Sequence, residues 1–200
     1  MDSIKLVIAI CGASGSMYAL RLIRALMDHS IEIHIIISHY GRQVLCHETN
    51  YNKGPIQAFI EKQWPMTQSN HCFLTEHDEN NMFASPASGS FKHHGMIIIP
   101  CSMKTISAIA NGYSDNLIHR SADVCLKEKR QLIILPRETP LNDIHLKNML
   151  KLSRSGATIM PLCPGFYTHP KTLEDVIQFM VGKIFDQLNI DHNFYQEWQV

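Results

Sequence analysis

The chain is expected to form a three-layer α/β fold with a mostly parallel sheet, and three observations predict it. Short apolar runs of strand length recur along the sequence, the first being Leu6–Ile10. They alternate with segments whose apolar residues keep helical spacing, such as Ala19, Leu22, Ile23 and Leu26. Small hydroxyl or glycine residues stand where strands hand over to helices, a pattern of repeated strand–turn–helix units. A length of 200 residues suits one domain with a full core. No internal repeat or linker divides residues 1–200, and the tail from about residue 190 is expected to pack on its own core or on a neighbouring subunit.

In chain order, Leu6–Ile10 reads as a buried strand and Cys11-Gly12-Ala13-Ser14-Gly15-Ser16 as the turn into a helix. Gly12 and Gly15 carry no side chain to hold a ligand off the backbone, and free N–H groups at a helix start favour a phosphate. Ile31 to Ile37 is the second strand. It ends at Ser38 and His39 rather than at an acid that would hold a ribose hydroxyl, which argues against NAD and leaves a mononucleotide. A short helix follows over about 40–47, and a further helix is expected over 55–62. The stretch 51–95 is otherwise irregular, and Ala84-Ser85-Pro86-Ala87-Ser88-Gly89-Ser90-Phe91 reads as a loop. Met96 to Ile99 is expected as the third strand, followed by Pro100-Cys101-Ser102-Met103-Lys104-Thr105 and a helix to Ala110. A helix from Leu117 to Arg130, a strand from Leu132 to Leu135, a helix from His145 to Ser153 and a strand from Ala157 to Met160 complete the alternation. Pro161 to Pro170 is a loop. Thr172 caps the last helix, whose first turn holds Glu174 and Asp175.

The composition excludes several classes. Lys plus Arg and Asp plus Glu each number 18, so no basic field attracts nucleic acid. Six scattered cysteines without a C-x-x-C pair read as buried hydrophobes in a reducing compartment. No apolar run nears the roughly 20 residues of a membrane span. With no signal-peptide pattern ahead of the first strand, the expected location is cytoplasmic. Among the 12 histidines, His71 with Cys72 and His77, or His93 with His94, lack any recognised zinc spacing, so no metal is expected.

Ligands of such sheets sit beyond the carboxyl ends of the strands, which gathers Ser14, Ser38, Ser102, Thr105, Arg137, Glu138 and Tyr167. Arg137-Glu138, stiffly held between Pro136 and Pro140, offers a planar fork for phosphate and a group that moves protons; an ion pair closing a loop is the plainer reading. Lys127 and Arg120, seven apart on one helix, can face the same way. Lys127-Glu128-Lys129-Arg130 by itself reads equally as a solvated helix end, and Lys183 interrupts an apolar stripe.

The chain resembles the UbiX-type flavin prenyltransferases from about Lys5 to Trp198. The segments that carry this are Gly12-Ala13-Ser14-Gly15, Pro86-Ala87-Ser88-Gly89-Ser90, Pro100 to Thr105, Arg120-Ser121-Ala122-Asp123-Val124, Leu126 to Arg130, Pro136 to Pro140 and Pro164-Gly165-Phe166-Tyr167. The resemblance implies a Rossmann-like, flavodoxin-like crevice that binds reduced FMN through Gly12, Ala13, Ser14, Ser38, Ser102, Met103, Lys104, Thr105, Arg120 and Arg137. It implies dimethylallyl phosphate held by Lys127, Arg137, Tyr167 and Lys183, with Glu138 and Glu48 as the acids at the reacting centre, Ser14 near the flavin N5, and Lys127 also serving catalysis. The prenyl group would join N5 and C6 without a metal, and the prenylated FMN would serve a UbiD-type decarboxylase, as in ubiquinone biosynthesis. A homo-oligomer, a dodecamer in this family, is implied too. The family often has Trp where Met82 aligns, and Arg is also common at position 183.

Two other readings remain. An FMN-dependent cysteine decarboxylase of related fold has a catalytic His after the second strand, for which His39 is available, but the Pro-x-Met-Asn motif is missing. A non-catalytic FMN carrier would need neither Arg137-Glu138 nor Lys183.

Overall fold

The computed structural model describes residues 4–29, 31–52, 54–65 and 72–195. His71 and Trp198 lie outside the described residues. Six strands form one sheet in the order β3-β2-β1-β4-β5-β6, and every pairing is parallel, so the sheet is wholly rather than mostly parallel. The strands are β1 (Ile4–Ile10), β2 (Ile31–Ile37), β3 (Phe73–His77), β4 (Gly95–Cys101), β5 (Gln131–Pro136) and β6 (Thr158–Ile159). The helices are α1 (Ser16–Met27), α2 (His39–Glu48), α3 (Ile56–Gln63), α4 (Met103–Ala110), α5 (Leu117–Lys127), α6 (Asp143–Arg154) and α7 (Leu173–Leu188).

The central strands are buried on both faces, as their unbroken apolar runs require. Leu6, Ile8 and Ile10 of β1 enter a core with α1, α3 and α7, while Val7, Ala9 and Cys11 point to the opposite face and a core with α4, α5 and α6. This two-residue alternation fixes the register, since a one-residue slip would exchange the faces.

Three expectations need correction. The strand beginning near Met96 is the fourth, because β3 was missed. Its residues Phe73 and Thr75 are exposed and its pattern is polar, as suits an edge strand paired on one side. The helix expected to reach Arg130 ends at Lys127, and Lys129 takes a left-handed φ of 55°. β6 keeps only two paired residues. The loop over 84–91 contains one 3-10 turn, Ser85–Ala87.

Candidate active site

The chain leaves β1 and β4 toward opposite faces of the sheet, so a crevice opens beyond their carboxyl ends. A cavity of about 310 Å³ lies there, walled by Gly12, Ser38, Ser102, Lys104 and Thr105. Glycine is required at two points of its rim. A Cβ on Gly12 would lie 2.6 Å from the Tyr40 Cβ, and one on Gly41 would lie 2.4 Å from the Ile10 carbonyl oxygen. The start of α2 can therefore press onto the end of β1 and carry Ser38 into the wall.

Glu79, Asn80, Asp115, Asn116 and His119 also line the cavity, and the sequence reading missed them. All but His119, which lies in the first turn of α5, come from stretches outside the helices and strands that carry no motif. The available signal was Asn116 as the N-cap of an amphipathic helix, where its side chain accepts from the His119 N–H. The Glu79 carbonyl accepts from Leu117 N at 2.7 Å and the Glu79 carboxylate accepts from His39 N, so residue 79 straps α5 to α2 across the mouth.

The helix starts around the crevice differ in what already occupies them. The α1 N–H groups expected to be free are taken: Gly15 and Ser16 donate to the Glu48 carboxylate at 3.0 and 2.8 Å. Loss of water pushes the Glu48 carboxyl up, but hydrogen bonds from Ser14, Ser16 and Gly15 outweigh this and hold it below the usual range. At α2 the Glu79 carboxylate fills the same role. Of the three helices here that directly follow a sheet strand, α1, α2 and α4, only α4 has a start that no carboxylate among the described residues reaches: Ser102 Oγ accepts from Thr105 N at 3.4 Å. Two of these three starts thus carry a built-in anion, and of the three the α4 start is the one left for an added anion.

The remaining expected residues fall into three groups. Ala13 is buried at the β1 end and Met103 opens α4, beside the crevice wall. Arg137 and Glu138 follow β5. They do not pair with each other; Glu138 accepts from Thr139 N, while the Arg137 Nε is buried without a hydrogen-bond partner. Such an orphaned donor is costly unless a ligand answers it. Arg120, Lys127 and Arg130 all turn to the 84–91 loop. Arg120 Nε donates to the Ala87 carbonyl, and Arg130 donates to the Gly89 and Phe91 carbonyls at 2.6 and 2.7 Å. Lys127 pairs with Glu128, and a Cβ on Gly89 would lie 2.7 Å from Lys127 Nζ. Tyr167 and Lys183 are linked through rings: Tyr167 stacks edge-on against Phe179 at 5.5 Å, Phe179 meets Tyr195 at 5.1 Å, and Lys183 Nζ lies 5.6 Å from the Tyr195 ring centre. No cluster of three or more metal-binding side chains occurs among the described residues.

An all-parallel sheet with a crevice at its switch point and an open helix start defines a nucleotide-type α/β protein, and the sequence matches the family model described as Flavoprotein over residues 1–185. It is 47% identical over 191 residues to the flavin prenyltransferase UbiX of Halalkalibacterium halodurans, spanning 96% of this chain and 91% of that protein. To UbiX of Methanocaldococcus jannaschii it is 45% identical over 195 residues, spanning 97% and 98%. A UbiX crystal structure in complex with FMN and dimethylallyl pyrophosphate superposes with a TM-score of 0.89 at 37% identity, over 99% of this chain and 98% of that one. A dodecameric FMN-dependent UbiX-like decarboxylase from Escherichia coli superposes with a TM-score of 0.87 at 37% identity, over 98% and 100%. The chain belongs to the flavin prenyltransferase family. A peptidyl-cysteine decarboxylase, at 22% identity and a TM-score of 0.57 over 82% of this chain and 88% of that one, shares the fold alone.

Proposed function

We propose that this protein transfers the dimethylallyl group of dimethylallyl monophosphate to N5 and C6 of reduced FMN, yielding prenylated FMN for a UbiD-type decarboxylase, in the cytoplasm and as a homo-oligomer. The observation that carries the reading is the buried, unpartnered Nε of Arg137 after β5, whose backbone N–H donates to Cys101 at the end of β4, next to the α4 start that is open to an anion. The cavity, its hydroxyl-rich wall and that open start fit the phosphate and chain of a mononucleotide. Ser38, Ser102, Lys104 and Thr105 would hold the FMN phosphate, with Gly12, Ala13, Ser14, Met103 and Arg120 as further flavin contacts.

Reduced FMN supplies the nucleophilic N5 and C6 positions. The chain's own residues do the rest. Arg137, Lys127, Lys183 and the Tyr167 hydroxyl bind the substrate phosphate and stabilise it as it leaves. Glu138 takes the proton released at C6. Glu48, held by Ser14, Ser16 and Gly15, fixes the Ser14 side chain toward N5. Four such groups neutralise a monophosphate without a metal, whereas a prenyl diphosphate normally calls for magnesium on clustered carboxylates.

The test is to incubate the protein with reduced FMN and dimethylallyl monophosphate, with and without EDTA, and weigh the flavin by mass spectrometry. The expected product carries the added prenyl mass and survives chelation. Unmodified flavin overturns the activity, and loss in EDTA restored by magnesium overturns the metal-free step. A pure FMN carrier would bind flavin and leave it unmodified.

A further inference from the structure

The end of α7 and the residues after it build a side-chain network of which the reaction as derived uses only Lys183. Asp186 is its centre. Lys183 Nζ donates to Asp186 Oδ2 at 2.7 Å, the Tyr195 hydroxyl donates to the same oxygen, and His192 Nε2 lies 2.9 Å from Oδ1. Lys183 Nζ also donates to the Tyr195 oxygen at 3.3 Å. The chain reaches back to do this because Asn189 ends the helix in the left-handed region, with φ 53°. Phe194 then packs on Phe185 at 5.1 Å, and the Tyr195 ring fills the space a side chain at Gly182 would need, 2.6 Å from its Cβ position.

We propose that Asp186 and Tyr195 are positioning residues for the prenyl-phosphate end of the site, fixing Lys183 directly and the Tyr167 ring through Phe179. The proposal rests on the reading of Lys183 as a phosphate ligand. A lysine is a point charge on a flexible four-carbon stem, so binding through it normally costs the rotamer freedom of that stem. Freezing it beforehand removes that cost. Asp186 can hold Lys183 without cancelling it, because its charge is shared among three donors. An arginine at position 183 would bring its own planar fork and need the jig less.

The experiment measures KM for dimethylallyl monophosphate, kcat and FMN affinity. Tyr195→Phe keeps the ring stack and removes only the hydroxyl. It and Asp186→Asn should each raise KM about three- to tenfold, the worth of one hydrogen bond, with kcat and FMN affinity unchanged. Neither should add to the KM of Lys183→Ala, and Lys183→Arg should restore KM in the Tyr195→Phe background. The proposal is overturned by an unchanged KM in Tyr195→Phe, by a full further loss in the Lys183→Ala background, or by a fall in FMN affinity and melting temperature that tracks the KM change. An unchanged KM in Lys183→Ala overturns the phosphate-ligand reading itself, which separates the two failures.

Discussion

At Glu48 a single carboxylate accepts from two successive backbone N–H groups and closes the helix start that the glycine turn, read from sequence, offers to phosphate. Charge decides the matter: a second anion at that end would face the first at close range. The α4 start is therefore the proposed place of the phosphate, and two substitutions separate the alternatives. Ser102→Asp places a carboxylate at the open cap and should abolish FMN binding. Glu48→Gln should keep FMN binding while slowing prenyl transfer, because it weakens the hold on Ser14. Flavin fluorescence titration reads the first and single-turnover product formation the second; FMN binding by Ser102→Asp would return the phosphate to another cap. The depressed Glu48 carboxyl also sets a sign. Its folded value lies below the unfolded one, so the stability it contributes is present above the ordinary carboxylate range near ~4.3 and is lost as pH falls through the folded value.

Among the elements, the strands that face helices on both sides were legible because burial forces them to be uniformly apolar. Ile31–Ile37 matches β2 residue for residue. The edge strand β3 was not legible, since one open side relaxes the pattern that strand recognition needs. The glycine and hydroxyl turns gave Gly12, Ser38, Ser102 and Thr105 of the crevice, but Glu79 and Asp115 arrive through loop paths that no local spacing encodes. The 84–91 loop was legible as a loop and not as a clamped one. Two arginines bind three of its carbonyls, so its backbone is held from α5 and the residues just after it. Gly89 is where this clamp meets Lys127. In Gly89→Ala the new methyl would meet only the flexible tips of Lys127 and Glu128, at 2.7 and 2.5 Å, so they swing aside and the fold survives. Prenyl transfer should fall several-fold with FMN affinity unchanged, as measured by product formation and flavin titration; unaltered transfer would detach Lys127 from the substrate.

For the whole molecule, the placement of the proposed substrate groups bears on assembly. No hydrogen bond, ion pair or ring contact among the described residues joins Lys127 to Arg137, Glu138 or Lys183. Lys127 stands by the 84–91 loop, while Arg137 and Glu138 follow β5 and Lys183 rides on α7. Large apolar side chains are also left open, with Phe83 at 101%, Phe166 at 70% and Ile144 at 66% exposure, and a neighbouring copy could cover them. Both facts are met if copies of the chain assemble and one copy's Lys127 serves the Glu138 of another, a closed arrangement that repeats around a symmetry axis. Lys127→Ala and Glu138→Gln should each be nearly inactive alone. Dissociated, mixed in equal amounts and reassembled, they should recover about a quarter of wild-type activity, because random mixing pairs an intact Lys127 with an intact Glu138 at one shared site in four. Light scattering before and after mixing should give a mass several times the 22.8 kDa chain. A fully active monomer, or a reassembled mixture no more active than its parts, would place Lys127 and Glu138 in one subunit's site.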